Sequence, residues 1–121
     1  MASITVTMPY LPGLTANHAY RRGRDGRPYL RSEARDWRLM LAQRIRYELQ
    51  DDRMTAPITV RADWYSPKEP DQDNRMKLVC DAVQMATGIN DKHFTIERGT
   101  WQQASGDASS IVVTVRWGET E

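Results

Sequence analysis

The hydrophobic pattern of this chain changes period along its length, and that limits the folds open to it. Residues 58–65, Ile-Thr-Val-Arg-Ala-Asp-Trp-Tyr, run with period two. So do residues 110–117, where Ile111, Val113 and Val115 alternate with Val112, Thr114 and Arg116. Period two marks a strand with one face buried. Between these runs Met76, Val79, Cys80 and Val83 recur at three- and four-residue spacing. That predicts a helix from about 74 to 86, ended by Gly88 just past its last apolar position. Ala34, Trp37, Leu41, Ile45 and Leu49 predict an earlier amphipathic helix over about 33–50, with Ser32 as its N-cap. Strands are also expected at 3–8, stopped by Pro9, and at 94–103, joined to the last strand through Ser105-Gly106-Asp107. The order strand, loop, helix, strand, helix, strand, strand predicts an α+β fold. It is a single domain over residues 1–121, a mixed sheet of about four strands with two main helices packed on it. Leu78, Ala82 and Met85 form a second apolar strip on the later helix, free to meet the sheet, the first helix or a partner subunit.

At 121 residues, 40% of them apolar and four of them tryptophan, the chain is long enough to bury a core without staples. It shows no internal repeat, low-complexity tract or linker. Its one cysteine, Cys80, sits on the apolar stripe, so no intrachain disulfide forms and a reducing cytoplasm is expected. No signal-peptide pattern and no apolar run of about 18 residues stands in the sequence, so no membrane partner is expected. Trp37, Trp64, Trp101 and Trp117 read as core or interface residues. His18 and His93 lack partners at metal spacing and read as surface histidines, although His93 is two residues from Asp91.

Net charge is only +1, but it is divided. Residues 1–50 carry nine arginines and a balance of +5, and residues 51–121 a balance of −4. Arginine outnumbers lysine fourteen to three, and its planar fork suits phosphate oxygens. Residues 9–31 are rich in turn formers, and Asp25-Gly26 predicts a small basic hairpin or loop. Arg21, Arg22, Arg24, Arg27 and Arg31, with Tyr20 and Tyr29 among them, are candidate DNA contacts, whereas a solvated loop is the plainer account of such a run.

The acidic segment is the chemically informative one. Pro70-Asp71-Gln72-Asp73-Asn74-Arg75-Met76-Lys77, then Asp81, then Asp91, places four carboxylates and a lysine close together in sequence. On a helix Asp73, Lys77 and Asp81 share one face, about 6 Å apart along the axis. Carboxylates from two chain segments suit a hard divalent cation, which at a phosphate-cutting site activates water and offsets charge on phosphorus. The competing account is equally physical. Asp-x-Asp-Asn before a helix is a good N-cap with extra acid favoured by the helix dipole, and the i,i+4 charges are ordinary ion pairs. Spacing alone leaves both open. A calcium loop is excluded, since its sixth position is Met76 and its twelfth Ala82.

The run Asp71-Gln72-Asp73-Asn74-Arg75-Met76-Lys77-Leu78-Val79-Cys80-Asp81-Ala82-Val83, followed by Gly88-Ile89-Asn90-Asp91-Lys92, resembles the RusA family of Holliday junction resolvases. Length agrees, as does an opening strand before the basic stretch Asn17-His18-Ala19-Tyr20-Arg21-Arg22. The resemblance implies a Mg²⁺-dependent endodeoxyribonuclease, with Mn²⁺ expected to substitute. Such enzymes are often phage- or prophage-encoded, and they resolve four-way DNA junctions by paired nicks as a homodimer in recombination and repair. By position it implies Asp71, Asp73 and Asp91 as catalytic metal-binding acids and Lys77 as the catalytic lysine, with Asp81, Asn74 and Asn90 in support. Asn90 departs from the pattern, which often has an acid there. Two rival readings stand beside it: a non-catalytic DNA-binding module, and a nuclease of broader branch or flap specificity.

Overall fold

The computed structural model describes residues 2–9, 20–22, 24, 28–30, 32–70 and 72–118, with the side chains of 20–22, 28–30, 73, 74 and 107 outside that description. The elements run β1 (Ala2–Pro9), β2 (Tyr20–Arg22), β3 (Pro28–Leu30), α1 (Ser32–Leu49), β4 (Ile58–Ser66), α2 (Gln72–Thr87), β5 (Phe94–Glu97), β6 (Trp101–Gln103) and β7 (Ser110–Trp117). The fold is α+β, as the alternation of periods requires.

The main sheet has five strands rather than about four, in the order β1-β7-β4-β5, with β6 also on β4. β7 is antiparallel to both β1 and β4, whereas β5 and β6 both run parallel to β4 along its free edge. The expected strand over 94–103 is therefore two strands, interrupted at 98–100. Gly99 explains the break. A Cβ there would lie 1.7 Å from the Ala62 carbonyl oxygen, so the chain passes against β4 at van der Waals limits instead of continuing the ladder. The turn residues 106–108 form one 3-10 turn, and the strands they connect pair with β4, not with each other. β2 and β3 form the expected basic hairpin, with Arg21 opposite Tyr29.

The strand period sorts the sheet into two faces. Ile58, Val60, Ala62 and Trp64 of β4 and Ile111, Val113 and Val115 of β7 are fully buried, joined by Val6 and Met8 of β1. Onto this face α1 delivers Ala34, Trp37, Leu41, Ile45 and Leu49, and α2 delivers Met76, Val79, Cys80 and Val83, as their spacing predicts. Leu78 and Ala82 are buried too, so the second strip of α2 is used inside the subunit and only Met85 stays exposed. That follows from α2 packing beside α1 in the same layer, which leaves it little free surface.

Both helices have identifiable ends. α1 begins with Ser32, one residue earlier than expected, so Ser32 is the first helical residue and not the residue before it. It closes at Gln50, in the left-handed region at φ 52°, whose N–H reaches the Arg46 carbonyl. At the C-terminus of α2 the carbonyls of residues 83–86 all have donors. The Thr87 hydroxyl donates to Val83, the Gly88 N–H to Gln84, and the Arg46 guanidinium to Met85 and Ala86. Gly88 takes φ 74°, which only glycine adopts without strain. This finish fixes the path of the chain into residues 89–91. No helix among the described residues is long and apolar enough to cross a membrane.

Candidate active site

The acidic motif lies at the start of α2. Asp73 is the second residue of that helix, so Asp73, Lys77 and Asp81 do fall on one helical face, as expected. Lys77 is exposed and Asp81 half-buried. Asp71, and the side chains of Asp73 and Asn74, lie outside the described residues.

Asp91 comes back onto the same helix. It opens a 3-10 turn over Asp91–His93, all three residues exposed, and its N–H donates to the Gln84 Oε1 at 3.1 Å. The side chain of Gln84, like all helical side chains, leans toward the N-terminus of α2. Asp91 is thereby brought to the level of residues 80 and 81. Cys80 reports the same proximity. Burial pushes its thiol up to about 12, and the charges of Asp81 and then Asp91 push in the same direction. The thiol stays protonated at neutral pH, which makes Cys80 a core residue and no nucleophile. The structure thus joins Asp91 to Gln84 and sets it, like Asp81, within electrostatic reach of Cys80. The backbone of Asp73 stands two turns earlier, about 12 Å along the axis.

Asn90 has a definite task. Its Oδ1 accepts the Lys92 N–H at 3.0 Å and caps the turn that presents Asp91. The departure from an acid at this position therefore has a local structural use. Among the described residues no group of three or more His, Cys, Asp or Glu is set to hold a metal, His93 included. The acids of the motif whose side chains are described, half-buried Asp81 and exposed Asp91, offer carboxylate oxygens, which is the chemistry a hard divalent cation takes.

Two residues that the sequence did not single out border this region. A cleft of about 390 Å³ lies between the helices, lined by Arg38, Asp81, Gln84, Met85 and Gly88. Arg38 comes from α1, next to the core residue Trp37, and its Nε is buried with no hydrogen-bond partner among the described residues. Gln72, between Asp71 and Asp73, is only 7% exposed. Its Nε2 donates to the Gly99 carbonyl at 3.1 Å and its Oε1 accepts the Gly99 N–H at 3.2 Å. Nothing local in the sequence announces that contact.

Of the candidate DNA-binding arginines, Arg21 and Arg22 lie on β2 and Arg24 is exposed in the turn beyond it. Arg27 and Arg31 lie outside the described residues.

The helix start bearing Asp73 and Asn74, the lysine one turn on and the returning Asp91 belong to one small α+β domain. Residues 9–116 match the family model described as Endodeoxyribonuclease RusA. The chain belongs to that family, and its class is that of a DNA-cutting enzyme. No curated protein matches the chain.

Proposed function

We propose that this protein is a Mg²⁺-dependent endonuclease that resolves four-way DNA junctions by paired nicks, acting as a homodimer. The observation that carries the reading is the family match over residues 9–116, which includes every residue of the acidic motif. The geometry supports it: Asp91, remote in sequence from the helix start, packs on the same helix that bears Asp73, Lys77 and Asp81.

Asp71, Asp73 and Asp91 would hold the cation, with Mn²⁺ able to replace Mg²⁺. When bound, such an ion supplies Lewis acidity toward a phosphate oxygen and lowers the pKa of water. The remaining work belongs to the chain. Lys77, exposed on the acidic face, offsets charge on the scissile phosphate or orients a carboxylate. Gln84, by accepting the Asp91 N–H, holds the Asp91 turn beside the helix. Arg38, whose buried Nε lacks a partner among the described residues, offers its fork to a DNA phosphate at the cleft. Arg21, Arg22, Arg24, Arg27 and Arg31 grip more distant phosphates by charge and shape rather than by base sequence. A two-fold dimer matches a junction of near two-fold symmetry that needs two cuts. The setting is DNA recombination and repair in the cytoplasm of a bacterium, with a phage or prophage origin.

The test is Asp73→Asn on a labelled four-way junction. Nicking in Mg²⁺ should be abolished while junction binding stays or tightens, because one negative charge near the DNA is gone. Parallel flap and linear duplex substrates test the preference for junctions. Wild-type protein that binds junctions but cuts nothing in Mg²⁺ or Mn²⁺ would turn the reading into that of a binding module.

A further inference from the structure

Gln72 is a polar residue in a place that burial reserves for apolar ones. A buried carboxamide is tolerated only when its hydrogen bonds are made, and here both are made to one residue, Gly99. Two bonds from one side-chain amide to the N–H and the carbonyl of a single residue fix separation and orientation together, which a single contact or an apolar side chain does not.

The other end of this clamp cannot yield. Gly99 is pressed against the Ala62 backbone of β4, where a Cβ would meet the carbonyl oxygen at 1.7 Å. The next residue is held as firmly. The Thr100 N–H donates to the Asp63 Oδ1 at 2.8 Å, its hydroxyl to the same oxygen at 3.0 Å, and its carbonyl accepts the Trp64 N–H at 2.8 Å. Gln72 therefore ties the first turn of α2 to the central strand through a short, rigid link. The residues on either side of it in the chain are Asp71 and Asp73.

We propose that Gln72 is a positioning residue for the cation-binding acids: by its two-point contact with Gly99 it sets where the flanking carboxylates begin. The inference rests on the metal reading given above. Its physical basis is the narrow tolerance of Mg²⁺, which demands near-octahedral oxygen ligands at about 2.0–2.1 Å, so a small shift of the helix start misplaces them. Residues that orient metal ligands typically change affinity by about 10–100-fold when altered.

The test measures Mn²⁺ binding to the full chain without DNA, by the loss of the free-ion electron paramagnetic resonance signal, for wild type, Gln72→Leu and Asp73→Asn. Far-UV circular dichroism and cooperative unfolding establish that each variant is folded. Gln72→Leu should keep the fold and weaken Mn²⁺ binding by about tenfold or more. In cleavage assays it should raise the half-saturating Mg²⁺ concentration and leave junction affinity unchanged. If Gln72→Leu unfolds, Gln72→Asn decides: one methylene shorter, it cannot span both groups of Gly99, and it should show the same weakening. A folded variant with Mn²⁺ affinity within about twofold of wild type overturns the positioning role alone. Wild-type binding that is absent, or unaffected by Asp73→Asn, overturns the metal reading and this inference with it.

Discussion

The two chain segments that carry the candidate acids are held in opposite ways. The start of α2 is tied down from inside the molecule: Gln72 is buried, and its partner Gly99 is wedged against β4. The Asp91 turn is held from outside, by an exposed bond to Gln84 and by its own Asn90 cap. Buried hydrogen bonds cost more to break than exposed ones, because the freed groups do not regain water. One wall of the site is therefore fixed by the core, and the other is free to adjust as a cation or a phosphate arrives.

The sharpest way to break this contrast is Gly99→Ala. Its methyl has no room before the Ala62 carbonyl, so the link must move. The expected loss of stability is about 2–4 kcal/mol in denaturant unfolding, in the upper range for single substitutions. A loss under about 1 kcal/mol would mean the link is pliant and the fixed wall is not fixed.

Acid should loosen the same wall first. Burial acts to raise the Asp63 carboxyl, but the Thr100 N–H, the Arg61 guanidinium and the Thr100 hydroxyl outweigh it, and its pKa lies below the usual value. The Arg116 hydrogen bond, reinforced by Arg61, holds Glu97 low as well. Both folded pKa values are lowered, so this stabilisation is complete above the ordinary carboxylate range, about pH 4, and is lost as pH falls through the lower folded values. The denaturation midpoint should fall below about pH 4, and less steeply in Arg61→Leu, which removes a partner of both acids. Equal slopes in the two proteins would show that this network does not anchor the 98–100 link.

The smallest effect is expected on the adjustable wall. Gln84→Leu removes the acceptor of the Asp91 N–H at an exposed site, so stability should stay within about 0.5 kcal/mol of wild type. Junction cleavage at saturating Mg²⁺ should still drop, by about 3–10-fold, since Asp91 loses its bond to the helix. A change in stability as large as that of Gly99→Ala would erase the distinction between the two walls.

How much of this was legible beforehand differs by element. The buried stripes of α1 and α2 and the alternation of β4 and β7 follow from spacing, because a side chain's face is fixed by its own position in the period. Gly88 as the end of α2 follows from the same local logic. The division of 94–103 into β5 and β6 does not, since it arises where Gly99 meets the backbone of β4, far away in sequence. Spacing allows the second strip on α2 three neighbours, and only the packing of α2 beside α1 shows Leu78 and Ala82 inside the subunit. In the site, the acids and the lysine were readable as a motif. Arg38 and Gln72 were not, because a lone arginine and a lone glutamine acquire meaning only from what faces them.

By itself the sequence determined the kind and order of the elements, the oxygen-rich chemistry at the head of the second helix and the likeness that identified the family. Tertiary structure alone decided which strands pair, that two short strands share one edge of β4, that the segment bearing Asp91 folds back to Gln84, and that Gln72 closes on Gly99. The reason is one of range. Periodicity and capping are properties of neighbours in the chain, whereas pairing, close approach and the convergence of side chains depend on residues that meet only when the whole domain has closed.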